Sequence, residues 1–137
     1  MAKRVLVFGT YDVLHPGHRD FFRQARELGD ELHVVVARDQ TVLSVKGRAP
    51  QHNEAERLAA VSACLDVNKA HLGHLGDKYR IIEELKPDII ALGYDQGHFA
   101  DRLPEELLNR GLSIKIVRLK SFQPEQYKSS LLRKAEK

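Results

Sequence analysis

The sequence predicts an α/β domain built on a mostly parallel five-stranded sheet with helices on both faces. Two observations carry that prediction. Short, β-branched apolar runs recur without polar alternation, as strands do when both of their faces are covered. Segments of helical periodicity lie between them, so strand and helix alternate four or five times. At 137 residues the chain suits one domain, residues 1–137, with a substantial core.

The elements follow in order. Residues 4–8 (RVLVF) and 31–37 (ELHVVVA) read as strands, as do 88–92 (DIIAL) and 114–119 (IKIVRL), with 69–73 (KAHLG) a weaker fifth. The first helix is expected over 17–29, placing Phe21, Phe22, Ala25 and Leu28 on one side and Gly29 at its stop. Residues 53–65 open with Asn53 and carry Glu56 three positions later, the pattern of a reciprocal cap. A helix over 78–87 ends at Pro87, and one over 103–111 has Pro104 near its start and Gly111 after its end. The segment SSLLRKAEK offers a last helix capped by Ser129 or Ser130.

Composition narrows the function classes. Hydrophobic residues make up 42% and charged residues 30%, with a formal charge of +3. Such diffuse basicity suits small anionic ligands rather than nucleic acid, which requires a concentrated basic face. Cys64 is the only cysteine, so neither a disulfide framework nor a cysteine zinc site is available, and its helical spacing reads as core packing. The apolar run after Met1 is too short for a signal peptide or membrane span, and a cytoplasmic location is expected.

In such sheets ligands bind beyond the carboxyl ends of the strands. That rule gathers Gly9, Thr10, Tyr11, Asp12, His15, Gly17 and His18 after the first strand, and Asp39, Lys46 and Arg48 after the second. Gly93, Tyr94, Asp95 and Gln96 follow the fourth; Arg118, Lys120, Lys128, Ser129 and Ser130 follow the last. The stretch VFGTYDVLHPGH is the most specific. A helix start offers N–H groups and partial positive charge to a phosphate. Gly9 admits a ligand close to the backbone, and Gly17 clears the helix entry. His15 and His18, three apart, can face one point and donate to phosphate oxygens. The competing reading makes one histidine a cap and the other a packing residue; zinc ligation lacks a third ligand at a recognised spacing.

The run GTYDVLHPGH resembles the G-x-F-D-x-x-H-x-G-H signature of the cytidylyltransferase-like nucleotidyltransferases, with Tyr11 in place of Phe. The resemblance continues through VARDQTVLSVKGRAP, NEAERLAAV, LKPDIIALGYDQ and VRLKSFQPEQYKSSLL, nearly the whole chain. It implies a single Rossmann-like domain that transfers a nucleoside monophosphate to a phosphate-bearing acceptor and releases pyrophosphate. VARDQTVLSVKGRAP and LKPDIIALGYDQ look most like the archaeal-type FAD synthases, which adenylate FMN with ATP. CTP-dependent activation of glycerol 3-phosphate or another polar phosphate is the neighbouring activity, and a nucleotide-binding regulator the non-enzymatic alternative.

The resemblance also implies roles. His15, His18 and Lys46 become catalytic, the lysine reaching the phosphates from a mobile SVKGRAP loop. Gly9, Thr10, Tyr11, Gly17, Gly93, Asp95, Arg118, Ser129 and Ser130 join both histidines in binding the nucleotide. Asp39 and Arg57 join Lys46 at the acceptor, with Arg57 projecting from its helix toward a phosphate. By residue type alone, Lys46 and Arg57 can equally be solvated surface residues, Ser129–Ser130 an ordinary cap and GYDQ a plain turn. Asp12 is expected to accept backbone N–H bonds. Mg²⁺ is expected to enter with the triphosphate, held mainly by phosphate oxygens and water rather than by a protein cage. A homodimer is implied by resemblance. His52, His71, His74 and His98 have no spacing that specifies chemistry, and surface or satisfied core positions are expected for them.

Overall fold

A computed structural model describes residues 2–93 and 97–119, with the backbone alone for 97–99. The chain runs β1 (Arg4–Gly9), α1 (Pro16–Glu27), β2 (Glu31–Val36), α2 (Asp39–Lys46), α3 (Glu54–Ser62), β3 (Lys69–Leu72), α4 (Arg80–Leu85), β4 (Ile89–Leu92), α5 (Gly97–Asn109) and β5 (Lys115–Arg118). Among the described residues the five strands form one sheet in the order β3-β2-β1-β4-β5, and every pairing is parallel.

The continuous apolar runs explain why the sheet is covered on both sides. Val5, Val7, Leu32, Val34 and Val36 face one way and pack with Phe22 and Ala25 of α1 and Val61 of α3. Leu6, Val35, Ile90 and Leu92 face the other way, against Ile82 of α4 and Leu103 and Leu107 of α5. Period-two alternation thus sends successive residues of one strand into two cores. Cys64 is half-buried and packs beside the first core, as its spacing predicts.

Two expectations about the helices change. No helix is expected over 39–46, yet α2 forms there and takes in Ser44, Val45 and Lys46 of the SVKGRAP segment; residues 47–50 stay outside it, with Gly47 at φ 77° accepting the left-handed turn. Its pattern is weak because Val42 is its only buried residue. The signals lay in its charges: Asp39 in the first turn and Lys46 in the last complement the helix dipole. Helix α5 begins at Gly97 rather than 103, so Pro104 lies inside it. Buried Ala100, Leu103 and Leu107 recur at helical spacing and carry the helix through the proline. Asn53 and Glu56 form the reciprocal cap of α3, as expected. The helix expected at residues 129–137 lies outside the described residues.

One polar group interrupts the second core. His33 of β2 is buried, and its Nδ1 lies 2.9 Å from His71 Nε2 on β3, while its Nε2 lies 3.1 Å from Glu31 Oε1. The carboxylate accepts, so the His33 proton belongs on Nε2, and His71 Nε2–H donates to His33 Nδ1. Arg4 completes the chain by donating from Nε to the same carboxylate oxygen and from Nη1 to the Leu85 carbonyl. His71 is therefore a satisfied, partly buried strand residue, and His74 pairs with Glu84 across 2.7 Å.

Candidate active site

The strand order reverses between β1 and β4, and their carboxyl ends flank the crevice in which open α/β sheets hold ligands. The turn after β1 enters that crevice. Tyr11 adopts φ 55°, an unusual conformation for a side-chain-bearing residue, and its ring folds back over Gly9. A Cβ on Gly9 would stand 2.4 Å from Tyr11 Cζ. The expectation that Gly9 makes room for a ligand is thus corrected: the room is filled by the chain's own tyrosine. Tyr11 is buried, tilted against Phe22 and edge-on to the His18 ring at 5.4 Å between centroids. It serves as the floor under the histidine rather than as an exposed nucleotide contact.

His15 and His18 both cap α1. His15 Nδ1 accepts from Gly17 N–H at 3.0 Å, and His18 Nδ1 accepts from His15 N–H at 3.3 Å. The rings stack with centroids 3.9 Å apart. Each neutral ring, having committed Nδ1 as an acceptor, carries its proton on Nε2. The remaining first-turn amides are also engaged, with His18 N–H and Arg19 N–H donating to the His15 carbonyl, and Pro16 has none. This revises the expectation of open amides at the helix start: the donors that it can turn toward a phosphate are imidazole Nε2–H groups. The two sequence readings, capping and phosphate binding, use opposite sides of the same rings.

Asp12 accepts backbone bonds, as expected, but across the molecule rather than within its own turn. Its carboxylate takes the N–H of Gln51 at 2.8 Å and of His52 at 2.9 Å. Those two bonds hold its pKa below the usual carboxylate value.

Arg57 departs most from expectation. It does not project to solvent: its side chain is fully buried. Nε donates to the His52 carbonyl at 3.0 Å, Nη1 to the Thr10 carbonyl at 2.9 Å and Nη2 to Asp39 Oδ1 at 2.7 Å. A guanidinium directed inward to three protein acceptors is not the exposed phosphate ligand expected of it. The same ion pair engages one carboxylate oxygen of Asp39 and holds its pKa low. Glu54, which drew no attention in the sequence, accepts from Arg38 Nη1 and from Asp39 N–H. Its position as an acid in the first turn of α3 was the available signal.

Lys46 stands exposed at the carboxyl end of α2. On the other side of the crevice Arg118, at the end of β5, donates to the Gly93 carbonyl at 3.2 Å. The structure therefore brings together Thr10, Asp39 and Arg57, the two histidines, and Gly93 with Arg118. Asp95, Ser129 and Ser130 lie outside the described residues. A cavity of about 220 Å³ opens beside the turn, between Asp12, Val13 and Leu14 on one side and His52, Glu56, Arg57 and Ala60 of the α3 region on the other. Among the described residues no cluster of three or more histidine, cysteine or acidic side chains is placed to hold a metal, and no helix is long and apolar enough to cross a membrane.

The match to known proteins agrees with this geometry. Residues 6–135 match the profile described as cytidylyltransferase-like. The chain belongs to the cytidylyltransferase-like family. Curated relatives within reach include the FAD synthase of Aciduliprofundum boonei, 49% identical over 87% of this chain and 79% of the relative. The FAD synthase of Thermoplasma volcanium is 42% identical over 96% of this chain and 92% of its own length. A crystal structure from Thermoplasma volcanium, described as a lipopolysaccharide core biosynthesis protein, superposes with TM-score 0.85 at 41% identity, covering 90% of this chain and all of that one. Pantoate-beta-alanine ligase from Francisella tularensis shares the fold alone, with TM-score 0.63 at 15% identity over 90% of this chain and 61% of its own.

Proposed function

We propose that this chain is an FMN adenylyltransferase, an FAD synthase that joins the AMP moiety of ATP to FMN and releases pyrophosphate. Curated FAD synthases, 49% and 42% identical over most of the chain, support the choice of activity. The observation that carries the chemistry is the stacked pair His15 and His18, each fixed through Nδ1 at the start of α1 beside the strand-order reversal.

An FMN phosphate oxygen attacks the α-phosphorus of ATP; that P–O bond forms as the bond from the α-phosphorus to the α,β-bridging oxygen breaks, and pyrophosphate leaves with the electron pair. A phosphate monoester dianion is nucleophilic without a base, so the protein contributes positioning and charge stabilisation. The Nε2–H groups of His15 and His18 donate to oxygens on which charge grows, already oriented by their caps. Lys46 supplies a mobile positive charge from the end of α2. Arg118, with Gly93 beside it, faces the phosphates or the base from the β4–β5 side; Asp95, Ser129 and Ser130, outside the described residues, are assigned to the nucleotide by resemblance alone. Mg²⁺ would enter with ATP, held mainly by phosphate oxygens and water, and Asp39, the acid in the first turn of α2, would be the described carboxylate available to its water shell. The chemistry the ion supplies is neutralisation of the triphosphate. A homodimer in solution accompanies this reading.

Pyrophosphate release measured across ATP and CTP, each against FMN and glycerol 3-phosphate, tests the assignment. Turnover with ATP and FMN is expected. Turnover confined to CTP with glycerol 3-phosphate would transfer the assignment to a cytidylyltransferase.

A further inference from the structure

Arg57 is one of the largest fully buried side chains, and the only charged one among them in the described residues. A guanidinium there must have its charge and donors satisfied, and each of its acceptors lies in a different part of the site. The Thr10 carbonyl belongs to the turn that leads to His15 and His18. Asp39 is the first residue of α2, the helix that ends at Lys46. The His52 carbonyl lies in the connection from α2 to α3, which Asp12 grips from the other side through the Gln51 and His52 amides. Arg38, one residue before α2, adds a second tie by donating from Nε to the Gly73 carbonyl at 2.8 Å and from Nη1 to Glu54 at 3.1 Å.

We propose that Arg57 is a positioning residue, a buried brace that fixes the histidine turn and the lysine helix relative to each other through the Thr10 carbonyl and Asp39. The reading rests on the nucleotidyl transfer proposed above. In this role Arg57 acts through its three protein acceptors rather than through substrate. It acts because His15, His18 and Lys46 stand on two separate elements, and a displacement near 1 Å between reacting groups commonly costs about 10²-fold in rate. Three features favour this over a general structural role. All three bonds end on loops or helix starts at the carboxyl rim of the sheet. The fork geometry of arginine is needed to reach a carbonyl on each side and a carboxylate at once, which lysine cannot reproduce. Asp39, its ionic partner, is 41% exposed, so the pair lies at the crevice edge rather than deep in the core.

The test is Arg57→Lys, which keeps the charge and loses the fork, read in two ways. Hydrogen exchange should quicken jointly in residues 10–18 and 39–46 while β1, β2 and β4 keep their protection. Turnover with ATP and FMN should fall roughly 10- to 100-fold with KM for ATP within about threefold, and most of that loss should vanish when Arg57→Lys is introduced into His18→Ala, because the histidine is what the brace positions. A large rise in KM for ATP or FMN with kcat unchanged would overturn the proposal in favour of direct substrate contact. Exchange confined to α3, or the full rate loss persisting in the His18→Ala background, would overturn it in favour of plain stability. Should Arg57→Lys fail to fold, Asp39→Asn, which removes the charge from an exposed side chain and keeps an acceptor, is expected to give the same paired loosening. An inactive wild type with joint loosening would remove the proposed chemistry and leave the brace, whereas an active wild type with unchanged exchange would remove the brace alone.

Discussion

Replacing His71 with glutamine should flatten the acid limb of this protein's stability. Burial, reinforced by the neighbouring charges of His33, Lys69 and Arg4, holds the His71 pKa down to about 4 from 6.5. His33 is lowered as well, by burial opposed by its bond to Glu31. A histidine whose folded pKa is depressed stabilises the fold fully above 6.5, and that contribution drains away as pH falls toward 4, because the unfolded chain takes up the proton first. A drop from 6.5 to about 4 corresponds to about 3.4 kcal/mol. The ring keeps some solvent contact, so screening reduces the usable figure to roughly 1–2 kcal/mol. Glutamine preserves an N–H for His33 Nδ1 and cannot titrate. Urea unfolding midpoints collected from pH 7.5 to 4 should therefore converge, with the wild type losing about 1–2 kcal/mol relative to His71→Gln, most of it below pH 6. The depressed carboxylates Asp12, Asp39 and Glu31 lose their contributions as pH falls below their ordinary values of 3.8 and 4.5, and they do so in wild type and variant alike, so they cancel in the difference. A wild-type-minus-variant difference that stays constant with pH would refute the reasoning.

Three further outcomes are expected. His15→Asn keeps an excellent N-cap and removes the Nε2 donor, so the melting temperature should hold while turnover falls about 10²–10³-fold; unchanged turnover in a pyrophosphate assay would deny His15 its role. Gly9→Ala must displace the Tyr11 ring from its seat against Phe22 and His18, and denaturant unfolding should show a loss of about 1–3 kcal/mol. Lys46→Ala, at an exposed helix end, should leave stability within about 0.5 kcal/mol and lower kcat/KM sharply, the two being measured on the same preparation.

How far the sequence reaches differs between fold and site, for identifiable reasons. The strands were visible because burial on both faces forces continuous β-branched runs, and all five lie within one residue of their observed bounds. Asn53 with Glu56 marked the start of α3 because capping is a local interaction between residues three apart. Helix α2 stayed hidden because it buries only Val42 and so leaves almost no periodic signature. In the site, the spacing of His15 and His18 was enough to bring them together. It could not show that Nδ1 of each would be used for capping, since that depends on backbone geometry at His15. Arg57 was misread for a different reason: its three acceptors are 5, 18 and 47 residues away, so nothing local distinguishes a buried brace from an exposed phosphate ligand.

The central placement of β1 also bears on how the chain reaches this state. Its pairing with β2 spans under thirty residues, from Arg4↔Glu31 onward, and with β3 it completes one half of the sheet early in the sequence. Its other edge must wait for β4, where Val5 meets Ile89 and the Asp88 carboxylate accepts from the Arg4 amide. Closing that long loop is entropically slower than the local pairing, so the β1–β4 seam is expected to form late. The crevice lies along that seam. A nascent or partly unfolded chain can therefore hold a complete H-P-G-H turn, correctly capped, and still have no opposing wall, which makes ligand binding a report on the last step of folding rather than on the formation of its best-known motif.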